Sequence, residues 1–183
     1  IDEAYSDFAG QNALSLLGEF PNLIITRTLS KSYSLAGLRV GYALSSPKLI
    51  SVLDQARDVY NVDRLAQVVG LACLKDRTYF EDTRDKIIKE RKRTISKLSE
   101  WEWKTCSSGA NFIFTRPVNS QGMTGPAVAK ELYEFLASRN VLVRYFPQHE
   151  LTFSYVRISI GNRQEMDILF ERLIEWKNQE QQK

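Results

Sequence analysis

Two short apolar runs separated by a polar loop narrow the choice of fold more than any other stretch of the chain. Residues 22–27 read Asn-Leu-Ile-Ile-Thr-Arg, and residues 38–44 read Leu-Arg-Val-Gly-Tyr-Ala-Leu. Both are short for helices, and the first is β-branched and apolar as a strand buried on both faces should be. Strands of that kind need helices to cover them, and helices follow. Ser45-Ser46-Pro47 ends the second run and starts a helix, with Ser46 at the cap and Pro47 at the first helical position. That helix places Leu49, Ile50, Leu53 and Ala56 on one side, and residues 64–74 continue as an apolar helix.

Residues 81–100 form a long amphipathic pattern with Ile87, Ile88, Ile95 and Leu98 on one side. Lys86, Lys89, Arg91, Lys92, Arg93 and Lys97 make it the most basic stretch. It reads as the solvated side of a connecting helix, because no aromatics interleave and acidic residues flank the run. Beyond Trp101 the pattern is a strand at 110–115, a loop with Pro117, Gly122 and Gly125, and a helix at 127–138 that stacks Val128, Leu132 and Phe135. Strands at 141–145 and 155–160 follow, and a closing helix at 163–178 carries Met166, Leu169, Leu173 and Trp176. Strands alternating with helices make the chain α/β. The division expected is one lobe over 1–78, a connecting helix over 79–100 and a second lobe over 101–183, with Trp101 and Trp103 packed at the seam.

Composition excludes several functions. The 183 residues carry 25 Lys and Arg against 22 Asp and Glu, a net charge of +3 that is too weak to imply a nucleic-acid partner. No apolar run is long enough to span a bilayer, so no membrane partner is expected. The 2 cysteines, Cys73 and Cys106, lack a metal-like spacing and point to a reduced, cytoplasmic setting. Cys73 falls on an apolar helix and reads as a core thiol. The 1 histidine, His149 in the loop Pro147-Gln-His-Glu, leaves no basis for a His-rich metal site or a histidine triad. The opening Ile1-Asp2-Glu3 reads as the last residue of a strand and the loop after it, so the chain is expected to begin within a domain.

The chemistry concentrates in the loop between the first two strands, Thr28-Leu-Ser-Lys-Ser-Tyr-Ser-Leu-Ala-Gly-Leu-Arg39-Val-Gly. Lys31 has small hydroxylated neighbours and no carboxylate nearby in sequence. An amine so placed is a candidate nucleophile if partly desolvated. Thr28, Ser30, Ser32 and Ser34 with Arg39 offer hydroxyls and a guanidinium, the parts of a phosphate cradle. From spacing alone, a polar surface loop with an incidental lysine stays equally open. Asp2, at a strand end, is placed to ion-pair with a protonated ring nitrogen, and Tyr5 to reach a ring hydroxyl. Taken by themselves they read rather as a turn aspartate and a packing tyrosine.

Taken together, Asp2-Glu-Ala-Tyr5-Ser-Asp-Phe8 and Arg27-Thr-Leu-Ser-Lys31-Ser-Tyr-Ser-Leu-Ala-Gly-Leu-Arg39-Val-Gly-Tyr42 resemble the fold-type I pyridoxal-phosphate aminotransferases, and among them the histidinol-phosphate aminotransferases. Ser108-Gly-Ala-Asn111-Phe112, Val141-Leu-Val-Arg144 and Tyr155-Val-Arg157-Ile-Ser-Ile-Gly161 are similar to the small-domain segments of that family. The resemblance covers nearly the whole chain but only about the C-terminal half of such an enzyme. It implies the C-terminal part of a large cofactor domain, with a mostly parallel sheet and helices, followed by a small α+β domain. It implies pyridoxal 5'-phosphate as cofactor, with Lys31 holding it covalently and moving the proton at the substrate Cα. Asp2 would face the ring nitrogen and Tyr5 the ring's 3-hydroxyl oxygen, while Arg39, Ser30 and Thr28 would hold the phosphate. Arg157, with Arg144 as a second contact, would bind the substrate's anionic end, and Asn111 is a further candidate there.

The reaction so implied converts histidinol phosphate and 2-oxoglutarate to imidazole acetol phosphate and glutamate, in a cytoplasmic homodimer whose partners are small-molecule amino donors and 2-oxo acids. This chain alone is expected to be inactive. An aromatic or broad-range aminotransferase, a phosphothreonine decarboxylase relative and a non-catalytic module of the same fold are the alternatives.

Overall fold

The computed structural model describes residues 1–179. It divides into two compact units, Ile1–Asp85 and Lys86–Lys183. The boundary falls inside one long helix rather than at either end of it.

In the first unit, β1 (Ile24–Thr28) pairs with β2 (Gly41–Ser45), from Ile24 opposite Ser45 to Thr28 opposite Gly41. The pair runs antiparallel, although the sheet of this lobe is expected to be mostly parallel. The reason lies in the connection. A parallel pair needs a long crossover, usually helical, and residues 29–40 hold only a 3-10 turn at Ala36–Leu38. Parallel pairing does occur on the other side of β1, where Asp2 bridges Thr26. There the Glu3 N–H donates to the Thr26 carbonyl at 2.8 Å and the Thr26 N–H to the Ile1 carbonyl at 3.0 Å.

Helix α1 (Pro47–Ala56) starts where the proline predicts. Ser46 supplies no side-chain cap, and its hydroxyl instead donates to the Pro21 carbonyl at 3.1 Å. Helix α2 (Arg64–Lys75) is capped by Asp63, which accepts from the Ala66 N–H at 2.9 Å. Ala66 and Gly70 are its buried residues, and Gly70 lies against Leu29, just beyond β1. The outward residues Leu65, Val68 and Leu71 are exposed. Helix α3 (Arg77–Ser99) begins earlier than the apolar periodicity suggests, with Asp76 accepting from the Tyr79 N–H at 3.1 Å as its N-terminal cap.

The second unit is an antiparallel sheet in the order β3 (Lys104–Thr105), β4 (Phe112–Arg116), β6 (Val156–Ser159), β5 (Arg144–Tyr145). Helices α4 (Pro126–Ser138) and α5 (Arg163–Gln179) complete it. Alternation along β4 and β6 buries Ile113, Thr115, Val156 and Ile158. These meet Leu132 and Leu136 of α4 and Leu169, Leu173 and Trp176 of α5 in one core. Trp101 and Trp103 pack inside this unit, edge-on to Phe170 and Trp176 respectively.

Strand β5 is shorter than the apolar run 141–145. Its first residue belongs to the end of α4, where Asn140 is left-handed with φ 60°. The Asn140 and Val141 N–H groups donate to the Ala137 and Leu136 carbonyls, closing a Schellman cap. No helix among the described residues is long and apolar enough to cross a membrane.

Candidate functional site

The first unit holds all six candidate cofactor residues, Asp2 and Tyr5 on the opening segment and Thr28, Ser30, Lys31 and Arg39 at the end of β1 and in the loop after it. Asp2 is held by its bridge to Thr26 on β1, and its carboxylate accepts from the Ala4 N–H at 2.9 Å. Two residues beyond Thr26, β1 ends at Thr28 and the lysine loop begins. Thr28 Oγ1 lies 2.9 Å from Ser30 Oγ and 3.2 Å from the Val40 carbonyl, and it accepts from the Ser30 N–H at 3.1 Å. The two hydroxyls are thus gathered at the mouth of the loop, beside the residue that follows Arg39.

Lys31 is half-buried, with Nζ 5.6 Å from the centroid of the Tyr5 ring. Among the described residues it forms no ion pair. Arg39 is different. It is exposed, sits in the left-handed region with φ 55°, and donates to the Ala36 carbonyl at 2.9 Å. Its backbone is anchored at the loop mouth while its guanidinium rests on the loop's own 3-10 turn.

The ground under this cluster is an ion pair that sequence reasoning passed over. Glu3 and Arg27 face each other across the parallel bridge, Nη2 to Oε2 at 2.7 Å, with side chains 7% and 15% exposed. Burial pushes the Glu3 carboxyl up, but the Ala13 N–H and the Arg27 guanidinium outweigh it and hold the group below its ordinary value. Burial likewise opposes the Arg27 charge, and Glu3 with Tyr42 raises it. Cys73, expected in the core, is half-buried and lines a cavity of about 200 Å³ with Ser32, Tyr33, Tyr79 and Phe80.

The second unit holds the three remaining candidates. Arg144 and Arg157 are register partners on β5 and β6, so their side chains leave the same face of the sheet. That face is the one turned away from the core, since Val156 and Ile158 flank Arg157 and point inward. Neither arginine forms an ion pair among the described residues. Aromatic rings surround them instead: Arg157 Cζ is 5.1 Å from the Phe112 centroid and 5.8 Å from that of Phe146. Asn111 lies just before β4, its carbonyl accepting from the Ile160 N–H at 2.9 Å. Phe114 is the β4 residue opposite Arg157, which leaves Asn111 further along the strand. The rings went unnoticed in the sequence, yet Phe112 and Phe114 alternate with Ile113, and that alternation marks them as one face.

Residues 1–173 match the family model described as aminotransferase class I and II. The chain belongs to that family. Histidinol-phosphate aminotransferases are among its relatives. The one from Synechocystis is 45% identical over 169 residues, 92% of this chain and 46% of that protein. The one from Clostridium botulinum is 38% identical over 178 residues, 96% of this chain and 48% of that protein. The chain therefore spans about half the length of the curated relatives it matches. Among solved structures, the histidinol-phosphate aminotransferase of Sinorhizobium meliloti in complex with pyridoxal-5'-phosphate is 28% identical with a TM-score of 0.83, over 97% of this chain and 48% of that one. The histidinol-phosphate aminotransferase of Clostridium acetobutylicum gives a TM-score of 0.85 at 25% identity, over 98% of this chain and 54% of that one. These are fold-type I aminotransferases, and the two units of this chain carry the α/β and α+β parts of that architecture.

Proposed function

We propose that this protein is a pyridoxal-phosphate-dependent aminotransferase that takes histidinol phosphate as amino donor and 2-oxoglutarate as acceptor, yielding imidazole acetol phosphate and glutamate in histidine biosynthesis. The observation that carries the reading is the register pair Arg144 and Arg157, two guanidiniums on one sheet face that form no ion pair among the described residues. A phosphate dianion is better matched by two such forks than by one. The relatives named for this activity, at 38% and 45% identity, agree with it.

The donor set suits the cofactor. A phosphorylated pyridine aldehyde asks for a primary amine, a carboxylate and a group of phosphate donors. Lys31 is an amine without an ion-pair partner among the described residues, Asp2 a carboxylate one strand away, and Thr28, Ser30 and Arg39 are the phosphate donors. When bound, the cofactor supplies an electron sink for a carbanion at the substrate Cα. In this reading Lys31 Nζ would take the proton from the substrate Cα and pass it to the cofactor's C4′ carbon, and Asp2 would keep the ring nitrogen protonated. Tyr5 donates to the ring oxygen. Arg157 and Arg144 orient the donor by its phosphate, and Asn111 is a further contact for the substrate.

The same reading makes the protein a cytoplasmic homodimer. Sedimentation tests the homodimer. The activity is tested on a protein of the relatives' full length that carries this chain, by supplying histidinol phosphate and 2-oxoglutarate and following glutamate. Glutamate formation from histidinol phosphate in preference to phenylalanine is the expected result. Release of carbon dioxide from O-phosphothreonine without glutamate formation would overturn it.

A further inference from the structure

Arg144 and Arg157 stand directly opposite each other on neighbouring strands, which places their Cβ atoms about 5 Å apart. Like charges in that position repel, and neither forms an ion pair among the described residues. Among the described residues both lie near the ring of Phe146. Its ring centroid is 5.8 Å from the Arg144 Cζ and 5.8 Å from the Arg157 Cζ, within the reach at which the negative face of a ring attracts a cation. Phe146 is two residues past Arg144, so the alternation of an extended chain sends both to the same side.

The ring is itself held. Phe114 meets it edge-on at 6.3 Å and 63°, and Tyr155 stacks on Phe114 at 4.8 Å and 12°. Arg157 Nε is buried with no hydrogen-bond partner among the described residues. Rings set its place, and the hydrogen-bonding edges are left for an incoming anion.

We propose that Phe146 is a positioning residue of the anion site, its ring drawing the Arg144 and Arg157 guanidiniums to a common point and offsetting their mutual repulsion. The proposal rests on reading those two arginines as the contact for the substrate's phosphate. It adds that the site depends on an aromatic ring that never touches the phosphate.

The test titrates inorganic phosphate into the full chain and follows the arginine Nε–Hε resonances by nitrogen-proton NMR, assigned through Arg144→Lys and Arg157→Lys. Phe146→Leu is expected to weaken phosphate binding about five-fold, the scale of one cation–ring contact, and to move both resonances before any phosphate is added. Phe146→Tyr keeps the ring and is expected to restore the resonances and bring binding to within about two-fold of the original chain. Unchanged binding and unmoved resonances in Phe146→Leu overturn the proposal, as does a Phe146→Tyr variant no better than Phe146→Leu. Binding lost in the two arginine variants but intact in Phe146→Leu removes the role of Phe146 alone. Binding intact in the arginine variants removes the anion site, and the positioning role with it.

Discussion

Ser32 Oγ donates a hydrogen bond to the Asp7 carboxylate, joining the residue after Lys31 to the 3-10 turn (Ser6–Phe8) that follows Tyr5. Ser32 is buried, so Ser32→Ala takes from Asp7 a donor that water replaces poorly. A loss of about 1–2 kcal/mol in urea denaturation is expected. The loop that carries Lys31 should loosen with it, seen as faster amide exchange over residues 30–34.

Lys31 itself is tested by chemistry rather than stability. Incubation with pyridoxal phosphate, borohydride reduction and mass-spectrometric mapping should label Lys31 ahead of Lys86, Lys89 and Lys92. Lys31→Ala should abolish that label. Labels spread evenly over the α3 lysines would mean that the gathered loop does not select the cofactor.

The Glu3–Arg27 pair makes a prediction about acid. Glu3 is held below its ordinary value of 4.5 in the folded chain, so the unfolded chain binds that proton more tightly. Its contribution is complete above the ordinary value and is lost as pH falls through the folded one. Glu3→Gln should cost about 1–2 kcal/mol at neutral pH and flatten the acid limb of the stability curve. A variant whose stability falls with acid as steeply as that of the original chain would refute the assignment.

Gly41 lies opposite Thr28 at the point where β2 leaves the lysine loop. A Cβ built there meets the Arg27 carbonyl oxygen at 2.9 Å, and backbone cannot swing aside as a side chain can. Gly41→Ala should cost about 1–3 kcal/mol, read from the urea midpoint. The same substitution at Gly37, where a Cβ meets nothing within 4 Å, should be near neutral.

Much of this was legible in the sequence because periodicity reports burial. The stacked apolar positions of 127–138 and 163–178 became α4 and α5, and Leu132 and Leu173 are core residues. The lysine loop and the Asp2–Tyr5 segment were legible through family resemblance, since spacing alone left a surface loop equally open. The direction of β1 against β2 was not, because it depends on what connects the strands and not on their composition. Glu3–Arg27 and Ser32–Asp7 each join residues about 25 apart in the chain, a pairing that no local pattern encodes. Val141 read as strand because it is apolar and β-branched, yet its N–H closes the end of α4.

The bridge from Asp2 to Thr26 is the smallest element of the sheet, and its direction sets the geography of the whole first unit. Because the two segments run the same way, the chain leaves both of them at the same rim, so the turn after Asp2 and the loop after Thr28 open side by side. Had the pairing been reversed, the carboxylate and the amine would belong to opposite rims of the sheet. A slip of one residue would carry Asp2 about 3.3 Å along β1 and turn it to the other face. A single bridge thus acts as a compass: it brings the turn after Asp2 and the loop of Lys31 to one rim, as the proposed cofactor site requires.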